Sequence, residues 1–162
     1  MQSISLKEGF KDIFTTQFLD KISQENEFIF LDSNELNISY NLDKDDMYGS
    51  PLGDDENEFF EVISELEKKF EYLTPFFTDD FEITYFTYNG EYTISMWSFK
   101  NGKLSSNSGW IGDFCPHCDD IDDEEEREEA RDNFVDENYQ SIKDGYTSDE
   151  ILEKLRKGLY EL

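Results

Sequence analysis

The sequence predicts an α+β fold in a single domain, with an antiparallel sheet (an N-terminal hairpin plus a three-stranded meander) packed with helices and an acidic helical C-terminal region. Three observations carry that expectation. Two Asn-Gly pairs, Asn89-Gly90 and Asn101-Gly102, each separate β-rich runs, and Asn-Gly supplies the positive φ angles of a two-residue hairpin turn. Two long stretches carry large apolar residues at helical spacing. The patterns follow one another as α-β-β-α-β-β-β-α-α, with no repeat and no long linker. Residues 1–114 are expected to form the α+β core, and residues 115–162 an acidic helical extension of the same domain.

Ser5-Leu6-Lys7-Glu8 reads as a capping box, and Leu6, Phe10, Ile13, Phe14, Phe18 and Ile22 follow at helical spacing, which predicts a first helix ending near Ser23. Residues 27–31 and 36–42 predict a hairpin closed through Asp32-Ser33-Asn34-Glu35, with Ile38, Tyr40 and Leu42 facing inward. A polar loop with Gly49, Pro51 and Gly53 follows. Asp55 and Glu58 open a second helix whose stripe is Phe59, Val62, Ile63, Leu66, Phe70 and Leu73, and Pro75 ends it.

The meander spans 81–111. A two-residue turn at Asn89-Gly90 pairs Tyr88 with Glu91. Phe81, Ile83, Tyr85 and Thr87 then face Ser98, Met96, Ile94 and Tyr92 on a core side. Glu82, Thr84, Phe86 and Tyr88 face Trp97, Ser95, Thr93 and Glu91 on the other, where the second turn adds Phe99, Leu104 and Trp110. A face of aromatics among Ser, Thr and Glu is either capped by a helix or used to touch a partner; if it is open, Phe86, Trp97 and Trp110 are its anchors.

Beyond Asp113 the character changes. Cys115-Pro116-His117-Cys118 leads into residues 119–137, where twelve acids meet only Arg127 and Arg131, a net charge of −10 in 19 residues. Ala130, Phe134 and Ile142 are its weak apolar anchors, which predicts an exposed helix or a partly disordered arm. A capping box at Thr147-Ser148-Asp149-Glu150 opens a last helix expected to bury Ile151, Leu152, Leu155, Leu159 and Leu162.

The 162 residues suffice for one core, and 15 Phe and 9 Tyr argue for a folded chain despite 33% charged residues. Forty acids against 14 bases leave a net charge of −26. That balance excludes nonspecific binding of nucleic acid or anionic membrane through the surface as a whole, and points to a basic partner or to one that ordinarily meets a polyanion. A salt-adapted, solvated surface is the bland alternative. The opening MQSISLKEGF has no apolar core segment, so no signal peptide is expected, and no run approaches the ~18 apolar residues of a membrane helix. A cytoplasmic protein with no membrane partner is the expectation.

The letters Cys115-Pro116-His117-Cys118 resemble the redox site of DsbA-type thiol oxidants in the thioredoxin superfamily. That fold needs further strands after the motif, one of them entered by a cis-proline, yet Pro116 is the last proline, and the acids from Asp119 onward oppose a thiolate. A metal reading uses Cys115, His117 and Cys118, a partial site with no second Cys or His pair to complete it. The remaining reading is a solvent-near turn with two reduced thiols. His117 is the only histidine, so histidine-dependent catalysis is confined to this turn. The run from Asp43 suggests a calcium loop, but its fifth position is Met47 and its twelfth is Asp54, which excludes an EF-hand. No Gly-rich phosphate loop is present, and neither an enzyme nor a cofactor is expected.

The helix NEFFEVISELEKKF and the hairpin FEITYFTYNGEYTISMWSF, within residues 57–99, resemble the corresponding helix and hairpin of the YezG-like immunity proteins. The resemblance implies an acidic cytosolic protein that neutralises a cognate nuclease toxin. It covers about a quarter of the chain and carries over no functional residue.

Charge and resemblance converge on a protein inhibitor of a basic nucleic-acid-binding enzyme, either an immunity protein against a nuclease toxin or a phage-encoded DNA mimic that blocks a defence nuclease. At ~1.5 Å per residue the acidic helix would carry about one charge per ~3 Å, against one per ~1.7 Å of duplex axis. The candidate partner-binding residues are Asp119, Asp120, Asp122, Asp123, Glu124, Glu125, Glu126, Glu128 and Glu129, with Phe86, Trp97 and Trp110. The alternatives are a thiol- or metal-dependent protein built on Cys115, His117 and Cys118, and an acidic cation-binding module.

Overall fold

In the computed structural model, which describes residues 2–23, 29–38, 54–88 and 91–162 (backbone alone at 54–60 and 88), the chain opens with a strand, not a helix. Strand β1, Gln2–Ser5, follows a period-two pattern in which Ile4 and Leu6 are buried and Ser3 is exposed. It pairs antiparallel with β3, Glu35–Ile38, placing Gln2 opposite Ile38 and Ser5 opposite Glu35. Residues 2–5 are extended in this ladder and the following N–H, of Leu6, donates to the Asn34 carbonyl at 2.8 Å, so Ser5 does not start a helix and the expected capping box does not form. Gly9, at φ 92°, then interrupts any helical continuation. A 3-10 turn covers Phe10–Ile13, and α1 spans only Thr16–Ser23. Thr15 caps it, its hydroxyl accepting from the Phe18 N–H at 3.2 Å. Four residues of the stripe read from the sequence, Leu6, Phe10, Phe18 and Ile22, are buried, while Ile13 and Phe14 are half-buried.

The N-terminal hairpin forms with a tighter turn than expected. Strand β2, Ile29–Asp32, pairs with β3 so that Asp32 faces Glu35, leaving Ser33-Asn34 as a two-residue connection with Ser33 at φ 55°. The sheet order is β1-β3-β2, and Leu36, Asn37 and Ile38 of the central strand are all buried. The outer parts of the expected hairpin, with Tyr40 and Leu42, and the calcium-like run from Asp43 lie outside the described residues.

Helix α2, Asp54–Leu73, buries Val62, Ile63, Leu66, Phe70 and Leu73, as its stripe predicts. It ends where Pro75 enters a 3-10 turn over Thr74–Phe76. The chain after β1 ties to this turn: the Lys7 N–H donates to the Phe76 carbonyl at 2.7 Å, and the Thr78 N–H to the Ser5 carbonyl at 3.2 Å. Phe77 fills the space beyond, with ring centroids 4.8 Å from Phe99 and 5.0 Å from Phe81.

The meander forms β4 (Phe81–Tyr88), β5 (Tyr92–Lys100) and β6 (Lys103–Trp110), and a short β7 (Tyr160–Glu161) adds to it in the order β4-β5-β6-β7. The second turn is as expected. Asn101 and Gly102 take φ 54° and 77°, and the Ser95 and Ser108 hydroxyls meet at 2.8 Å across the strands. The expected Asn89-Gly90 turn lies outside the described residues, but the ring contacts between β4 and β5 differ from the expected pairing. Phe81 stacks on Phe99 at 5.7 Å, Tyr85 meets Trp97 at 4.9 Å and Phe86 stacks on Tyr92 at 5.8 Å. The register counted from a two-residue turn puts each of these pairs on opposite faces; the contacts place each pair on the same one, a shift of odd parity between the strands.

Both faces are consequently buried. Ile83, Tyr85, Trp97 and Phe99 fill one, and Phe86, Ile94 and Met96 the other. Phe86 and Trp97, at 3% and 1% exposure, are core residues and not partner anchors. The two compact units are Met1–Phe81 with Phe99–Leu104, and Glu82–Ser98 with Ser105–Leu162, so residue 114 falls inside the second. Among the described residues, no helix is long and apolar enough to cross a membrane.

Candidate functional site: a disulfide turn that launches an acidic helix

Within the second unit, β6 runs into a 3-10 turn over Ile111–Phe114 that buries Ile111, Gly112 and Phe114 and lies against both α3 and α4. Trp110, the third expected anchor, is half-buried, and its ring covers Gly112 so closely that a Cβ there would overlap it. Its indole face therefore packs on its own chain.

Cys115-Pro116-His117-Cys118 folds back on itself. The two cysteines form a disulfide with Cα atoms 5.5 Å apart, well within the range such a bridge needs, and both are at most 1% exposed. The expectation of two reduced, solvent-near thiols is corrected here. The two-residue spacing brings the Cα atoms within bonding range, and both sulfurs lie in the buried part of the turn. His117 is exposed, and its Nε2 lies 3.8 Å from Cys115 Sγ.

Two cations lock this turn to the helices that follow it. Lys154 on α4 (Asp149–Lys157) donates to the Cys115 carbonyl at 2.6 Å and approaches Asp119 at 3.4 Å. Arg131 on α3 (Glu124–Lys143) reaches Asp119 at 3.5 Å and Glu128 at 3.3 Å. The Lys154 charge, with Arg131 adding to it, holds the Asp119 carboxyl below the usual carboxylate range. Asp119 is thus engaged internally, although it remains well exposed.

Helix α3 begins where the sequence places its densest acids. Asp123 is its N-cap, accepting from the Glu126 N–H at 3.0 Å, and Glu124, Glu125 and Glu126 fill the first turn, where the helix dipole favours anions. Phe134, Val135 and Ile142 are buried, so the segment is an ordered helix seated on one side. Ala130 is half-buried, and Tyr139 stacks on Tyr92 at 4.9 Å. Helical spacing puts Glu125, Glu129, Asp132 and Asp136 along the side opposite Phe134, and all four are exposed. Both arginines are turned inward: Arg127 donates to the Ile121 carbonyl at 3.3 Å, while Arg131 joins Asp119 and Glu128. Asp120 and Asp122 are exposed on the approach to the helix.

Helix α4 starts one residue later than the capping box predicts: Ser148, not Thr147, is the N-cap, its hydroxyl accepting from the Ile151 N–H at 3.4 Å. Arg156 grips Glu82 of β4 through Nη2 at 2.6 Å and through Nε at 3.1 Å to both oxygens, and Asn107 of β6 donates to the Leu155 carbonyl at 2.9 Å. Ile151 and Leu155 are buried, whereas Leu152 and Leu159, also expected inside, are half-buried and Leu162 is 55% exposed. The helix stops at Gly158, and the chain leaves as β7 beside Ser105 and Ser106.

The arrangement can present closely spaced carboxylates on a rigid rod; among the described residues, the other chemistry-bearing cluster is Cys115, His117 and Cys118. Sequence reasoning missed the outward Asp132 and Asp136, whose four-residue spacing would have revealed them, and the Lys154 and Arg131 clamps, which have no sequence signal. No family model matches this chain, and no curated protein or solved structure is similar to it.

Proposed function

We propose that this protein is a non-enzymatic inhibitor that offers the outer side of α3 to the basic nucleic-acid-binding cleft of an enzyme, a nuclease first among them. The observation that carries this reading is the sorting of charge on α3. From Glu124 to Glu137 the helix holds eight carboxylates against two arginines, and the arginines are spent on internal bonds. Net −6 over 14 residues is about one charge per ~3.5 Å of axis, close to the ~3.4 Å spacing of phosphates along one DNA strand. The half-buried inner side fixes the rod, so little ordering entropy opposes docking. The resemblance of residues 57–99 to YezG-like immunity proteins supports the toxin-nuclease version; a phage-borne DNA mimic uses the same surface.

The test is capture of partners from the native host at low and moderate salt, followed by binding kinetics with a variant carrying Glu125→Lys, Glu129→Lys, Asp132→Lys and Asp136→Lys. A basic nucleic-acid enzyme should be recovered in a 1:1 complex, the variant should bind it at least tenfold more weakly, and association should slow with salt. A variant that binds the same partner with undiminished affinity overturns the role given to α3.

A further inference from the structure

We infer that the Cys115–Cys118 turn is a redox-gated site for a thiolate-seeking divalent cation, Zn²⁺ being the representative, with Cys115, His117 and Cys118 as protein ligands. Spacing alone makes three ligands within four residues look cramped. The fold removes that objection, because one donor atom from each residue already lies within 4.8 Å of the others. Cys115 Sγ and His117 Nε2 are 3.8 Å apart. A tetrahedral ion with bonds of about 2.3 Å to sulfur and about 2.0 Å to nitrogen sets those atoms ~3.5 Å apart, so the imidazole needs only a few tenths of an ångström of movement.

The gate is the disulfide itself. While the sulfurs are bonded to each other they are not thiolates and cannot ligate a metal. A dithiol reductant opens the bridge: two electrons and two protons pass to Cys115 and Cys118, and the reductant leaves as its own disulfide. Metal uptake then displaces the two thiol protons to solvent. The Cα separation of 5.5 Å serves both states, since opening the bridge requires only that the two sulfurs move apart by rotation about χ1. The sequence contains no further Cys or His, so the fourth position is left to water on the exposed side, where His117 stands. The net charge of −26 draws cations toward the surface in either redox state, but only the reduced turn offers sulfur.

The experiment titrates Co²⁺ into the full chain, reduced with a phosphine or left oxidised, and follows the near-ultraviolet thiolate-to-cobalt charge-transfer band, which carboxylates do not produce; Zn²⁺ is then added to displace it. The expected result is a band that saturates at one equivalent in the reduced protein, disappears on adding Zn²⁺, and is missing from the oxidised protein. His117→Ala, at an exposed position that leaves the core untouched, should weaken cobalt binding by at least about tenfold. A reduced protein without the band, or a His117→Ala variant that binds as tightly as the parent, overturns the site.

Discussion

Replacing Lys154 with Met removes an ammonium and keeps a stem of similar length, so it isolates what the charge contributes at the disulfide turn. The parent side chain donates to the Cys115 carbonyl at 2.6 Å in a part-buried setting. A hydrogen bond from a charged donor contributes roughly 1.5–3 kcal/mol, and the variant leaves that carbonyl without the ammonium. The second contact, to Asp119 at 3.4 Å, involves a well-exposed carboxylate that still has Arg131, so it adds little. The expected loss is about 2 kcal/mol, or about 4–8 °C in Tm for a chain of this size. Urea titration measures it directly, as a lower midpoint with an unchanged slope. Repeating the titration near 1 M salt separates the two contacts, because a Debye length of about 3 Å erases an exposed ion pair and spares a part-buried hydrogen bond. A loss below about 0.5 kcal/mol, or one that vanishes in high salt, refutes the assignment of the clamp to the carbonyl.

Two further outcomes follow from the same unit. Because Lys154 and then Arg131 lower the folded-state pKa of Asp119, its contribution to stability is present above the unfolded value near ~3.9 and is lost as pH falls through the lowered folded value. Carboxyl NMR should show Asp119 titrating below the ordinary aspartate value and moving upward in Lys154→Met; coincident titration in parent and variant contradicts the pairing. Gly112→Ala forces a Cβ into the Trp110 ring at a buried position, so it should destabilise by about 1–3 kcal/mol and shift tryptophan fluorescence, and a neutral result contradicts that contact.

Periodicity identified the buried residues better than it identified the backbone that carries them. Leu6, Phe10, Phe18 and Ile22 are buried as the first stripe implies, yet they sit on an isolated bridge just past β1, a 3-10 turn and a short helix, because the edge of β3 captured residues 2–5. The Ser3-Ile4-Ser5-Leu6 alternation was the available signal, outweighed by a capping box that ignored Gly9. The meander was legible from its Asn-Gly pairs, but its first register was not. Trp97 and Tyr85 share a side, and nothing in the local sequence reports the shift of register that brings them together. β7 has only two residues and no pattern of its own; it pairs because α4 delivers it to β6. The acids of α3 were read from composition alone. Their ordering was not, since it depends on Phe134 and Val135 finding a seat and on clamps that join residues 35 positions apart.

The Lys154 ammonium grips the main chain at Cys115, not a side chain. Every residue type presents the same carbonyl, so this tie between α4 and the turn is blind to the identity of position 115. The cysteine pair can therefore be reduced, or exchanged for other small residues over generations, while α4 keeps its hold on the turn. Two traits that share a few consecutive residues are in this way free to vary separately, and a lineage that loses the thiols need not lose that hold.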